Sequence, residues 1–279
     1  MKKWGFFLSL IIFIIVNTEL MSQNSVEILE TDLNYTETTE IDITKKEIYQ
    51  GNLLLANHDY PAREESIKSD IVTLMANDEL TIGYGLLNSN INLSTEVAQA
   101  FSKMVTSAEN EGVNHFLISS GFRNFQEQNK LYQEMGANYA LPAGYSEHNL
   151  GLSLDVGSTL MEMSKAPEGK WIEKNSWRYG FILRYPEDKI DVTKIQYEPW
   201  HIRYVGLPHS AIMYEKNFAL EEYIAYLREE KNLSVIIDNK TYTLSYYPIS
   251  ESTSIKIPNN QQYDISGNNV DGVIITISE

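Results

Sequence analysis

The stretch Tyr145-Ser146-Glu147-His148-Asn149-Leu150-Gly151-Leu152-Ser153-Leu154-Asp155 decides how the chain is read. Its first half is polar and turn-forming. Its second half alternates, as a strand with one buried face does. Seven extended residues span roughly 23 Å, so His148 and Asp155 meet only if the chain folds back between them. Asn149-Leu150-Gly151 supplies the turn, and Leu152 to Val156 runs on as a strand. A carboxylate flanked by Leu154 and Val156 costs on the order of several kcal/mol if buried alone, so Asp155 needs a cation, donors or an ordinary salt bridge.

A second stretch, Tyr197-Glu198-Pro199-Trp200-His201-Ile202-Arg203-Tyr204, lies about fifty residues on. In a regular strand Glu198 and His201 face opposite sides. Pro199 removes a ladder donor, and a bulge or kink there brings the two to one side. Catalytic zinc takes three N or O ligands and keeps one position open. His148, Asp155 and His201 can supply such a set, with Glu198 beside it as a general base for water. A lone histidine is more often an ordinary core or surface residue, and His58, His115 and His209 are read that way.

The 279 residues carry a net charge of −16 and no cysteine. The charge repels phosphate backbones and anionic lipid, so no nucleic-acid partner is expected. The missing cysteines exclude disulfides, thiolate metal sites and cysteine nucleophiles. At 43% hydrophobic and 11% aromatic the composition is globular. Lys2 and Lys3 precede a thirteen-residue apolar run from Trp4 to Val16. That is short for a spanning helix and suits a signal peptide or a short membrane anchor over residues 1–22. Residues 23–50 are acidic and sparsely apolar, and read as a flexible tether.

The folded body is expected over 51–231. Ser94 caps a helix carrying Val97, Phe101, Met104, Val105 and Ala108 at helical spacing, closed by Gly112. Phe116-Leu117-Ile118 reads as a buried strand, followed by a polar helix from Asn124 to Gly136. A helix around Lys170 to Tyr179, strands at Phe181–Tyr185 and Ile195–Val205, and a long helical stretch from Pro208 to Lys231 complete it. Residues 232–279 form a β-rich appendage, with a hairpin through Asp238-Asn239-Lys240 and further strands at Ile255–Ile257 and Gly272–Ile277. The class is α+β: a small mixed or antiparallel sheet flanked by helices and carrying a zinc site, with the appendage added.

Ser146-Glu147-His148, Gly151 and Leu154-Asp155, followed by Glu198-Pro199-Trp200-His201, resemble the zinc D,D-carboxypeptidases of the VanY type. That family also holds VanX-like dipeptidases and bacterial L,D-carboxypeptidases. The resemblance covers about Gly51 to Lys231, including Ser119-Ser120-Gly121-Phe122-Arg123. It implies one zinc ion held by His148, Asp155 and His201, with Glu198 as catalytic base. It implies that Arg123 stabilises the oxyanion, that Gln128 and Ser146 contact the peptide's C-terminal residue, and that Trp200 walls the site. Read without it, Arg123 pairs equally well with Glu127 at i+4, Gln128 is solvated, Ser146 caps a turn and Trp200 is core.

The implied activity is removal of the terminal D-Ala from peptidoglycan precursor peptides ending in D-Ala-D-Ala, by an exported enzyme facing the cell wall, which withdraws the target of glycopeptides such as vancomycin. The alternatives are an L,D-carboxypeptidase, a D,D-dipeptidase and a non-catalytic wall-peptide-binding module. A penicillin-type serine peptidase is disfavoured, because Ser102-Lys103 lacks the Ser-x-x-Lys spacing. No protein partner is expected.

Overall fold

The computed structural model describes residues 26–31, 37–137 and 139–278. The export segment at 1–22 lies outside them. Among the described residues no helix is long and apolar enough to cross a membrane.

The body is built on a mixed five-stranded sheet in the order β4-β6-β7-β9-β8, from β4 (Gly85–Leu86), β6 (Phe116–Ser120), β7 (Ser153–Ser158), β9 (His201–Tyr204) and β8 (Phe181–Leu183). Only β4 and β6 run parallel. Helix α1 (Thr95–Asn110) begins at Ser94, whose hydroxyl accepts from Val97 N at 3.5 Å. Its apolar face, Val97, Phe101, Met104 and Val105, packs on Phe116, Ile118, Leu154 and Val156 of the sheet. Trp171 and Ile172 of α3 (Pro167–Asn175) join the same core. Each of these fully buried side chains contributes roughly 1.5–3 kcal/mol. Helix α2 (Phe125–Met135) starts in a reciprocal cap: Asn124 Oδ1 accepts from Glu127 N, and Glu127 Oε2 accepts from Asn124 N, both at 2.9 Å. A short antiparallel ribbon of β3 (Ile71–Thr73) and β5 (Asn92–Ser94) leads into α1.

Several boundaries differ from the expectation. The strand foreseen over Ile195–Val205 is confined to His201–Tyr204: after a short helix α4 (Ile190–Thr193) the chain over 195–198 is irregular, and Pro199 and Trp200 form a turn. The stretch from Pro208 to Lys231 is two helices, α5 (His209–Lys216) and α6 (Leu220–Glu230). Asn217 at φ +50° ends the first in the left-handed conformation that asparagine tolerates.

The acidic tether expected at 23–50 is a correction. Its described part contributes strands β1 (Val26–Glu30) and β2 (Thr38–Thr44). The second sheet runs β1-β10-β11-β14-β13, all antiparallel, with β10 (Asn232–Ile237), β11 (Lys240–Pro248), β14 (Gly272–Ser278) and β13 (Gln262–Gly267). Strand β2 pairs with β12 (Ser252–Pro258) as a separate ribbon. Two isoleucines in alternation, Ile41 and Ile43, were too few to mark a strand inside an acidic segment, yet they pack in the core under that ribbon.

The β-rich segment does not stand alone. Leu233, Val235, Leu244 and Ile274 share one core with Leu220, Tyr223, Ile224 and Leu227 of α6 and with Leu53, Leu55, Ile182 and Val205 of the body. Strand β14 is buried on both faces, with Ile274 in that core and Ile275 and Ile277 in the core under the β2–β12 ribbon. This explains its unbroken apolar run.

Candidate active site

Three neighbouring strands bring the site together. Asp155 on β7 stands opposite His201 on β9 and, on the other side, opposite Ser120 at the end of β6. The β6–β7 register shifts between Ile118 and Ser120, the kind of irregularity that re-aims a strand end. At Gly121, just past β6, the chain passes so close to the Asn92 carbonyl that a Cβ would overlap it.

His148 sits on the 3-10 turn Glu147–Asn149. Gly151 at φ +81° returns the chain into β7, as the spacing of His148 and Asp155 requires. The turn is stitched to the β6–α2 loop at three points. Arg123 N donates to His148 O at 3.1 Å, Asn149 Nδ2 to Arg123 O at 2.7 Å, and the His148 ring meets Gly121 O through Nδ1 at 2.6 Å. His148 Nε2 is thereby aimed at Asp155 Oδ1, 3.4 Å away, and His201 Nδ1 reaches the same oxygen at 3.0 Å. The donor atoms of His148, Asp155 and His201 all lie within 4.8 Å of one another.

Glu198 reaches this group from a turn. His201 N donates to Glu198 O at 3.2 Å, so the two residues flank one turn just before β9 and strand parity does not apply. Glu198 Oε2 comes to 3.9 Å from His201 Nδ1. Arg123 donates through Nε to Gln128 Oε1 at 2.9 Å and through Nη1 to Ser120 Oγ at 2.6 Å. Glu127 is engaged in the α2 cap, so the alternative pairing of Arg123 with Glu127 is not what the structure shows. Gln128 is 1% exposed and donates to Leu141 O at 2.7 Å, which replaces the solvated reading. Ser146 is buried and makes no side-chain cap bond. Trp200, at 42% exposure, is a rim residue and not core.

All eight of these residues line one cavity of about 430 Å³. A larger cleft, about 730 Å³, lies between α1 and the C-terminal sheet and contains none of them.

A family model described as VanY, D-alanyl-D-alanine carboxypeptidase, matches residues 90–207. A D-alanyl-D-alanine carboxypeptidase of Enterococcus faecium is 60% identical over 293 residues, 99% of this chain and 96% of its own. The chain belongs to the VanY family of D-alanyl-D-alanine carboxypeptidases. Among solved structures, the vancomycin-resistance D,D-dipeptidase VanXYg in complex with a D-Ala-D-Ala phosphinate analogue is similar at TM-score 0.73 and 32% identity. That likeness covers 87% of this chain and 100% of that one. A D,D-pentapeptidase VanY from a VanB-type resistance cassette, in complex with Zn(II), is similar at TM-score 0.51 and 26% identity, over 62% of this chain and 98% of that one.

The donor set of this VanY-family enzyme fits a zinc ion. Tetrahedral ligands at about 2.1 Å from a metal sit about 3.4 Å apart, close to the 3.0 and 3.4 Å separations at Asp155. The electrostatics point the same way. Burial opposes ionisation of Asp155, but His148 and His201 outweigh it and hold the carboxyl well below its usual range. Burial likewise opposes charge on His201, yet the hydrogen-bonded Asp155 carboxylate at 3.0 Å and the Glu147 carboxylate 3.5 Å away carry its pKa up to about 9. A cation between these donors is what the surroundings favour. Glu198 moves the other way: burial, aided by the charge of Asp155 and opposed by His201, raises its pKa, as suits a group that must both take and return a proton.

Sequence reasoning gave Glu147, Arg184 and Arg203 no role. The Glu147 carboxylate is fully buried, and its Oε1 accepts from Arg184 Nε at 2.8 Å and Arg203 Nη1 at 2.7 Å. Burial works against its charge, but the two guanidiniums hold it far below the usual carboxylate range. Arg184 also takes both oxygens of Glu221, at 2.7 and 2.9 Å. The signal available was two arginines set beside the apolar stretches Phe181–Leu183 and Ile202, since buried arginines demand partners. Tyr185 went unnoticed as well; its ring centroid is 4.9 Å from that of His201.

Proposed function

We propose that this VanY-family chain is a zinc-dependent D,D-carboxypeptidase. It removes the C-terminal D-Ala from peptidoglycan precursor peptides ending in D-Ala-D-Ala, and so contributes to glycopeptide resistance. The observation that carries the reading is the convergence of His148, Asp155 and His201 within 4.8 Å, with Glu198 and Arg123 lining the same cavity. One zinc ion per chain, held by those three side chains, would polarise the peptide carbonyl and acidify water.

The remaining steps fall to the protein. Glu198 takes a proton from the attacking water and returns it to the leaving amine of the terminal D-Ala. Arg123, held in place by Gln128 and Ser120, turns its remaining N–H groups on the carbonyl oxygen as negative charge develops there. Gln128 and Ser146 bound the space for the terminal residue, and Trp200 closes the rim against water. Lys2, Lys3 and the apolar run after them support export, with the enzyme secreted or membrane-anchored and facing the wall.

The test is incubation with a peptide ending in D-Ala-D-Ala, an L,D-tetrapeptide and free D-Ala-D-Ala, with products identified by mass and zinc measured on the same sample. Release of D-alanine from the first peptide in proportion to zinc content is the expected result. Cleavage of the tetrapeptide or the dipeptide alone replaces this reading with an L,D-carboxypeptidase or a dipeptidase.

A further inference from the structure

The contacts that hold Glu147 do not stop at its two arginines. Arg184 turns Nε to Glu147 Oε1 at 2.8 Å. The other edge of its guanidinium, Nη1 and Nη2, goes to the two oxygens of Glu221, at 2.9 and 2.7 Å. One planar, rigid group thus bridges two carboxylates, and fixing its fork at Glu221 fixes the direction in which Nε points. Glu221 stands in the first turn of α6, where a negative charge is favoured, and Asn57 Nδ2 donates to its Oε1 at 3.1 Å. Among the described residues Arg184 is its one ion-pair partner.

The main chain ties Arg184 to the reactive residues as well. Arg184 N donates to His201 O at 3.2 Å, and the next carbonyl, Tyr185 O, accepts from Glu198 N at 3.0 Å. The two residues Arg184 and Tyr185 therefore anchor the backbone of a proposed metal ligand and of the proposed base. Glu221 itself does not line the catalytic cavity.

The buried network sets two guanidiniums, Arg184 and Arg203, against two carboxylates, Glu147 and Glu221. Arg203 otherwise donates to carbonyls, including Asn52 O at 3.0 Å and Leu54 O at 2.8 Å, so no further carboxylate offsets it. With Glu221 made neutral, one positive charge is left over behind the carboxylate that faces His201 Nε2 at 3.5 Å. An uncompensated charge in a low-dielectric interior repels a metal cation and draws Glu147 away from His201.

We propose that Glu221 is a positioning residue for the catalytic centre. Through Arg184 it balances the charge behind Glu147 and holds the segment that anchors His201 and Glu198. A salt bridge that merely clamped α6 to the end of β8 would act on stability alone. This rests on the zinc-dependent carboxypeptidase reading above.

The test compares variants of the full chain. Glu221→Gln removes the charge and keeps the shape, whereas Glu221→Asp keeps the charge. Glu222→Gln breaks the neighbouring pair with Lys189, at 3.0 Å, and so loosens the same helix without touching the network. Zinc affinity is read by competition with a chromogenic chelator, and D-alanine release from a peptide ending in D-Ala-D-Ala is followed on the same samples. Glu221→Gln is expected to bind zinc about tenfold more weakly, the lower end of what a ligand's outer partners contribute, and to lose kcat once zinc-saturated. Glu221→Asp and Glu222→Gln bind zinc as the wild type does. The Glu221 side chain is 16% exposed, so if Glu221→Gln does not fold, Glu221→Ser, which admits water beside Arg184, takes its place. Wild-type zinc affinity in the folded neutral variant, or an equal loss in Glu222→Gln, overturns the positioning role and leaves the zinc reading standing. A wild type that binds no zinc, or releases no D-alanine when loaded, overturns that reading and the positioning role with it.

Discussion

Glu147 Oε2 lies 3.5 Å from His201 Nε2, at the long edge of hydrogen-bond range, while the other oxygen of the same carboxylate is gripped by Arg184 and Arg203. A carboxylate fixed on that side favours the proton on Nε2 and leaves the Nδ1 lone pair facing Asp155 and the cavity. Gly121 O does the same for His148 from its Nδ1 side. Removing such an outer partner typically costs 10–100-fold in metal affinity. Glu147→Gln is expected to weaken zinc binding by about that range, read by competition with a chromogenic chelator. The zinc-free variant should also melt lower, since about 3–5 kcal/mol is typical when buried guanidiniums lose their counter-charge. Wild-type zinc affinity in a folded Glu147→Gln protein contradicts the positioning role.

Glu198 stands apart from the donor cluster that His148, Asp155 and His201 form. Glu198→Ala should therefore keep its zinc while hydrolysis falls by about a hundredfold to ten-thousandfold, the usual worth of a general base. Zinc analysis and D-alanine release on one preparation check both halves. Loss of the metal together with activity would make Glu198 a ligand.

His209 gives the fold a defined acid sensitivity. It is buried between Tyr223 on α6, at 2.7 Å, and Thr276 on β14, at 3.0 Å. Burial pushes its pKa down from 6.5 to about 3. Between those values the unfolded chain binds a proton that the folded one refuses, so stability is lost as pH falls. The slope is at most about 1.4 kcal/mol per pH unit, or about 2 kcal/mol between pH 7 and pH 5. Urea titrations at both values should show the wild type losing about that much more stability than His209→Gln. Equal slopes in the two proteins exclude His209 as the source.

The C-terminal strands share their core with α6 and the body, so removing residues 232–279 uncovers Leu220, Tyr223, Ile224 and Leu227 together. The truncated chain is expected to be insoluble or to lose cooperative melting. A milder probe, Leu244→Ala, should cost about 2–5 kcal/mol by thermal or urea denaturation. A truncated protein that melts like the full chain would make the sheet a detachable domain.

What could be read without coordinates follows from local rules. The spacing from His148 through Gly151 to Asp155 needed only chain reach and a glycine turn. The helix opened by Ser94 and the hairpin at Asp238-Asn239 needed only caps and periodicity. The motif residues His148, Asp155, Glu198 and His201 stood out through their spacing and the family resemblance they carry; of the four only Asp155, flanked by Leu154 and Val156, was costly by itself if left unpaired. Glu198 was harder: its approach to His201 depends on a turn, whereas the sequence pattern pointed to a kinked strand.

What lay beyond the sequence depends on contacts between distant segments. Strands β1 and β2 carry little apolar periodicity and form because partners about two hundred residues away supply their ladders. Glu147 gains its buried partners only where Arg184 and Arg203 meet it. The sequence determined which chemistry is available, because residue type and short-range spacing are local properties. The tertiary structure decided which groups are buried, paired or left uncommitted, because those depend on what packs beside them.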